Sequence, residues 1–160
     1  MASTLSSATM TVRVVESIKL NGTEQGAVNT KTISSINEIS KRIITITTAE
    51  SVIATFSAAV ASAGHYVAAD VRYMRFTNKD DTNFITLTFR NQDNDEVAIK
   101  LDAGNSFMWS ADNSGGMVDV FNATQDADAA SSTNFGSLTN IQADADTGSC
   151  DMEIFVAEVA

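Results

Sequence analysis

At 160 residues, 44% of them hydrophobic, the chain is long enough for one domain with one sizeable core. Ten basic and 20 acidic residues give a formal net charge of -10. A field of that sign repels phosphate backbones and anionic lipid, so neither nucleic acid nor a membrane is expected as a partner. It serves solubility, or attraction to a basic partner surface.

Cys150 is the only cysteine, which excludes an intrachain disulfide framework and fits a reducing compartment. It lies in SCDMEIFV, a strand-like stretch, and reads as a buried, inert thiol. The opening MASTLSSATMTVRV lacks a basic region followed by an apolar run, so no signal peptide is expected. No apolar run reaches the roughly 18 residues of a helical span. Proline is absent, so the turns rest on Gly, Asn, Asp and Ser.

Residues 1–9 are small and hydroxyl-rich, and a flexible arm is expected there, followed by a single β-sandwich domain over 10–160. In residues 11–20, Val12, Val14, Ile18 and Leu20 alternate with Thr11, Arg13, Ser17 and Lys19, a first strand ended by Asn21-Gly22. Residues 22–30 read as a polar loop. Over 30–42 two patterns compete. Ile33, Ile36, Ile39 and Ile43 have helical spacing, and Ser35 with Glu38 has the form of a capping box, but the β-branched load favours an extended chain. Residues 41–48 form a more secure strand. Residues 50–56 read as another, with one short helix over 50–63 as the alternative.

The most legible stretch is residues 70–109. Met74 and Phe76 alternate with Tyr73, Arg75 and Thr77; Ile85, Leu87 and Phe89 with Thr86, Thr88 and Arg90; Val97, Ile99 and Leu101 with Glu96, Ala98 and Lys100. Phe107, Met108 and Trp109 follow a Gly-Asn turn. Alternation of this kind predicts half-buried antiparallel strands, a meander with one wet face. Further on, a turn over 111–116, a strand over 117–121, a polar loop over 122–134 and closing strands over 137–143 and 151–158 are expected. About ten short strands make the fold class all-β, a single-domain antiparallel β-sandwich of jelly-roll type. Tyr73, Phe155 and Val15 put apolar side chains on the outer face, where a subunit interface or a second layer would cover them, and Trp109 is a further interface candidate.

The inventory of reactive groups is short. His65 is the only histidine, too few for the several-histidine metal site of a jelly-roll enzyme, and no serine sits in a nucleophile elbow. No enzyme is expected, and His65 reads as a loop residue. Asp144 and Asp146 in DADTG, and Asp126 and Asp128 in the long loop, are weak calcium candidates that complete no known calcium loop. Asp93 and Asp95 read as hairpin-turn residues. No other cofactor is expected.

Arg75, Thr77, Asn78, Asp80, Thr82, Asn83 and Phe84, followed by Lys100, Leu101, Ala103, Gly104, Ser106 and Phe107, resemble a motif pair of small virion proteins of tailed bacteriophages, and the closing ADADTGSCDMEIFVAEVA is similar to their C-terminal strand. The resemblance covers roughly half of the chain. It implies a non-enzymatic β-sandwich structural protein, foremost a capsid decoration or cement protein made in the host cytoplasm. Such a protein binds the outer surface of the head as a homo-oligomer, a trimer first, with the major capsid protein as partner. Asn78, Asp80 and Asn83 would then cap a hairpin turn, and Gly104 would take a positive φ. The alternative is a glycan- or receptor-binding tail or head-fibre module, with Trp109, Tyr66 and Tyr73 as stacking residues.

Overall fold

The computed structural model describes residues 6–57, 62–91, 94, 96–110 and 138–159. Strands β1 (Ala8–Val15) and β4 (Val28–Ile36) pair as an antiparallel ribbon, with β2 (Lys19–Leu20) and β3 (Thr23–Glu24) forming a small hairpin at its far end. The body is built from β5 (Glu38–Ile46), β6 (Ser51–Ser57), β7 (His65–Val67), β8 (Val71–Asn78), β9 (Ile85–Asn91), β10 (Glu96–Leu101), β11 (Ser106–Ser110), β12 (Leu138–Ala145) and β13 (Cys150–Glu158). These form one sheet in the order β11-β8-β13-β5 and another in the order β10-β9-β12-β6-β7. The fold is an all-β sandwich.

Alternation along the strands makes the core. Met74 and Phe76 of β8, and Met152, Ile154 and Val156 of β13, meet Ile85, Leu87 and Phe89 of β9 and Ile141 of β12, all of them buried. Phe89 also takes Phe107 and Trp109 edge-on, at centroid distances of 5.6 and 5.9 Å. Burial of each such side chain contributes about 1.5–3 kcal/mol, which sets the register, because a slip of one residue would turn every one of them to solvent.

The stretch over 70–109 is not a meander within one sheet. After β8 the chain crosses to the facing sheet for the β9–β10 hairpin and returns for β11, which pairs with β8. Four such crossings, residues 47–50, 79–84, 102–105 and 146–149, are tied together at one end. Ala145 N donates to Thr47 O at 2.9 Å, Lys79 N to Asp151 O at 2.8 Å and Asn78 N to Asn105 O at 3.0 Å. The side chain of Asn78, fully buried, donates from Nδ2 to the carbonyls of Asn83 (2.8 Å) and Leu101 (3.1 Å), while its Oδ1 accepts from Asp80 N at 3.0 Å. Asn78, Asp80 and Asn83 therefore cap a crossing between sheets rather than a hairpin turn. Gly104 does take the expected positive φ, at 73°.

The extended reading of 30–42 holds, and the helical spacing has a physical origin. The β1–β4 register shifts between Ala8↔Ile36 and Met10↔Ile33, and Ser35 sits at φ 63°. This bulge adds one residue, so Ile33 and Ile36, three apart, are both buried on one side. Ile39 and Ile43 instead point outward from β5 and are exposed.

Other expectations change in detail. The first strand begins at Ala8, inside the stretch read as an arm, and pairing at Thr23–Glu24 and from Val28 occupies much of the supposed loop over 22–30. The strand expected over 50–56 is present as β6, Ser51–Ser57, in place of the helical alternative there. His65 is not a loop residue: it opens β7, which runs parallel to β6 with Thr55 opposite His65. The turn over 111–116, the strand over 117–121, the loop over 122–134 and the start of the closing strand at 137 lie outside the described residues, as do Asp93, Asp95, Asp126 and Asp128.

Replacing Asn78 by Ala leaves the buried carbonyl of Leu101 and the part-buried carbonyl of Asn83 and amide of Asp80 without this partner. The expected loss is about 2–4 kcal/mol of unfolding free energy in urea, with a cooperative transition retained. A change below about 0.5 kcal/mol would show that the crossings hold without it.

Candidate functional site

The outer face of the β11-β8-β13-β5 sheet presents side chains in rows fixed by register. Ser106, Thr77, Glu153 and Ile43 lie side by side, then Met108, Arg75, Phe155 and Lys41, then Ser110, Tyr73, Ala157 and Ile39. The last two rows carry too much apolar surface for a solvent face. The ribbon covers part of it: Ile33 and Ile36 bury Tyr73 and Ala157, with Met10, Val12, Phe155 and Val159 packed around them. Tyr73 and Phe155 meet edge-on at 5.9 Å. Burial raises the pKa of the Tyr73 hydroxyl, against the opposing pull of Arg75. Glu153 is held below the usual carboxylate range, first by its hydrogen bond from Arg75 and further by Lys41, which lies 3.3 Å away. A cavity of about 370 Å³ remains between β1 and the sheet, lined by Met10, Val12, Tyr73, Arg75, Met108 and Phe155.

Beyond this patch the ribbon continues to a tip whose aliphatic side chains are exposed. Asn21 (φ 51°) and Gly22 (φ 82°) supply the two left-handed residues that a tight two-residue hairpin needs. Glu24 Oε1 accepts from Ile18 N at 3.2 Å and from Gly26 N at 3.0 Å, and Glu16 N donates to Ala27 O at 2.8 Å. At Gly26 a Cβ would lie 2.0 Å from Glu16 O, so only glycine fits. The backbone of the tip is thus tied internally, yet Val15, Ile18, Leu20 and Val28 are each between 52% and 62% exposed. Four aliphatic side chains on a hydrogen-bonded projection form a surface suited to burial against another molecule.

Of the residues singled out in the sequence, Tyr73 and Phe155 lie under the molecule's own second layer, and Val15 lies on the tip. Trp109 is in the core, as is Tyr66, so with Tyr73 also buried none of these rings presents a face for stacking on a sugar. Asp144 lies in β12, and Asp146 follows it, accepting from Thr147 N. Among the described residues no group of three or more His, Cys, Asp or Glu side chains is placed to hold a metal ion. Ile18, Leu20 and Val28 are the members of the tip that alternation could not single out, because it separates two faces of a strand without showing where the strand leaves the body. The Asn21-Gly22 turn between two very short strands is the signal that marks them. No helix of the described residues is long and apolar enough to cross a membrane. Comparison with protein-family models found no match, and comparison with curated protein sequences found none either.

Where the ribbon joins the body, Asn37 N donates to Glu158 O at 3.1 Å and Val159 N to Asp70 O at 2.9 Å. Glu158 is buried there, and desolvation, followed by the charges of Glu38 and Asp70, pushes its pKa up to about 7. Folding therefore favours its protonated form. This group costs nothing well below pH 4.5, and it destabilises progressively as pH rises from 4.5 to about 7, with no further change above. Glu158→Gln is expected to remove about 1–2 kcal/mol of that decline, allowing for solvent that reaches the carboxylate. Urea denaturation of both proteins at several pH values between 4 and 8 measures the difference; parallel curves would show that Glu158 ionises normally in the folded protein.

Proposed function

We propose that the chain is a non-enzymatic virion structural protein of a tailed bacteriophage, a decoration or cement protein that binds the outer surface of the assembled head as a homo-oligomer, with a trimer the first form to test. The observation that carries this reading is the ribbon tip, where Val15, Ile18, Leu20 and Val28 stand exposed on an internally hydrogen-bonded hairpin. A projection of this kind has the chemistry of an arm that reaches a neighbouring subunit. The resemblance at Arg75–Phe84 and Lys100–Phe107 names the class of neighbour, the major capsid protein. A protein that binds only the assembled shell stabilises it by mass action, without any reactive group of its own.

The purified chain, incubated with empty heads built from the coat protein of the same phage, is expected to sediment with them saturably and to raise their melting temperature. The double variant Ile18→Asp, Leu20→Asp is expected to bind about 100-fold more weakly or not at all, because each aliphatic side chain contributes about 1.5–3 kcal/mol when buried. Its own unfolding midpoint should stay close to that of the parent, since neither side chain touches the core. Absence of co-sedimentation by the parent chain refutes the reading. Binding that survives in the variant moves the contact away from the tip.

A further inference from the structure

Arg42 lies on the inward side of β5 with Ser40, Ile44 and Ile46, facing the β6–β7 pair, where Ser40 Oγ also lies 3.4 Å from Tyr66 Oη. Its Nη2 donates to the carbonyl of Ile53, and its Nε is enclosed with no acceptor. Lys41, Arg75, Arg90 and Lys100 each have a carboxylate partner, whereas among the described residues none pairs with Arg42. A part-buried guanidinium without a counter-charge is destabilising, and the deficit is made good by an anion with matching geometry.

The surroundings leave room for one. A cleft of about 320 Å³ adjoins the guanidinium, lined by Val52, Ile53, Thr55, Gly64 and His65. Gly64, at φ 86°, turns its bare side to the cation: a Cβ there would lie 2.8 Å from Nη2. An inward-pointing charge on an edge strand also discourages sheet-to-sheet pairing. That role accounts for a cation at this position but not for the open cleft or the glycine pressed against the guanidinium.

We infer that the cleft beside Arg42 is an oxyanion site, taking a carboxylate or phosphate group against the planar guanidinium, with His65 at its rim. It is separate from the ribbon tip and does not depend on the head-binding reading. With a net charge of -10 the whole molecule repels anions, so binding has to come from the local cation and its partial burial.

The test uses the full chain labelled with ¹⁵N and follows the Nε–H resonance of Arg42, identified by its loss in Arg42→Lys. Sodium phosphate and sodium acetate are titrated separately, each against sodium chloride at equal ionic strength. The expected result is a saturable shift of the Arg42 resonance in phosphate, acetate or both, with exposed Arg13 as the unmoved control. A response to acetate admits carboxylates, including an acidic side chain of another protein; a response to phosphate alone narrows the ligand to phosphate. Gly64→Ala should weaken the response about tenfold or more. If that variant does not fold, the titrations of the parent chain decide alone. No shift beyond that in chloride, or equal shifts of Arg42 and Arg13, overturns the inference.

Discussion

Two sheets can face each other here only because four strands, β8, β9, β12 and β13, send their apolar side chains into one dry seam. Met74, Phe76, Ile85, Leu87, Phe89, Ile141, Met152 and Ile154 all lie in it with essentially no exposure. The alternation that fills the seam also fixes which side chains stand outside it. Tyr73, Arg75 and Phe155 are outward because Met74, Phe76, Ile154 and Val156 are inward. The outer patch is thus a consequence of core packing, and its apolar character requires a cover.

That cover is the base of the ribbon. Ile33 and Ile36 close over Tyr73 and Ala157, which anchors the ribbon at one end while Asn37 links it directly into β5. The same two strands run on past the sheet, so a single element has a buried base and an apolar tip in solvent. The bulge at Ser35 makes this possible, since it lets two isoleucines three residues apart share the buried side. The three acidic groups Glu158, Glu38 and Asp70 gather at the junction.

Much of the body was legible from side-chain alternation. The inward and outward sets of β8, β9 and β13 follow the sequence residue by residue, and Gly104 sits in the left-handed region its turn context predicts. The pairing of strands was not legible in the same way. Alternation is a local signal, and β8 with β11 is joined by register across the sheet, not by adjacency in the chain, so the crossing at residues 79–84 reads as a hairpin until Asn78 is seen bonding to Asn83 and Leu101. The helical spacing of Ile33 and Ile36 misleads for the same reason, because a bulge is defined by the partner strand. Of the outer-face candidates, Tyr73 and Phe155 were found as apolar positions needing cover, and the cover proves to be intramolecular. Trp109, an outer-face candidate in the sequence, lies in the core, because an aromatic near a strand end carries no mark of which face it takes. Arg42 carries no such signal: alternation gives the face a residue takes on its own strand, not that Ile53 O and Gly64 meet its guanidinium.

The gathering of four crossings at one end has a further consequence for Cys150. The thiol lies beneath those crossings, within 3.6 Å of Gly148 O, and burial first, then the charges of Asp80, Asp146 and Asp151, raise its pKa. Reactive thiolate is therefore scarce and walled off while the loops stay knotted. The lone sulfur acts as a silent clock for that end of the molecule: an alkylating reagent advances it only when the knot loosens, whatever the rest of the sandwich is doing.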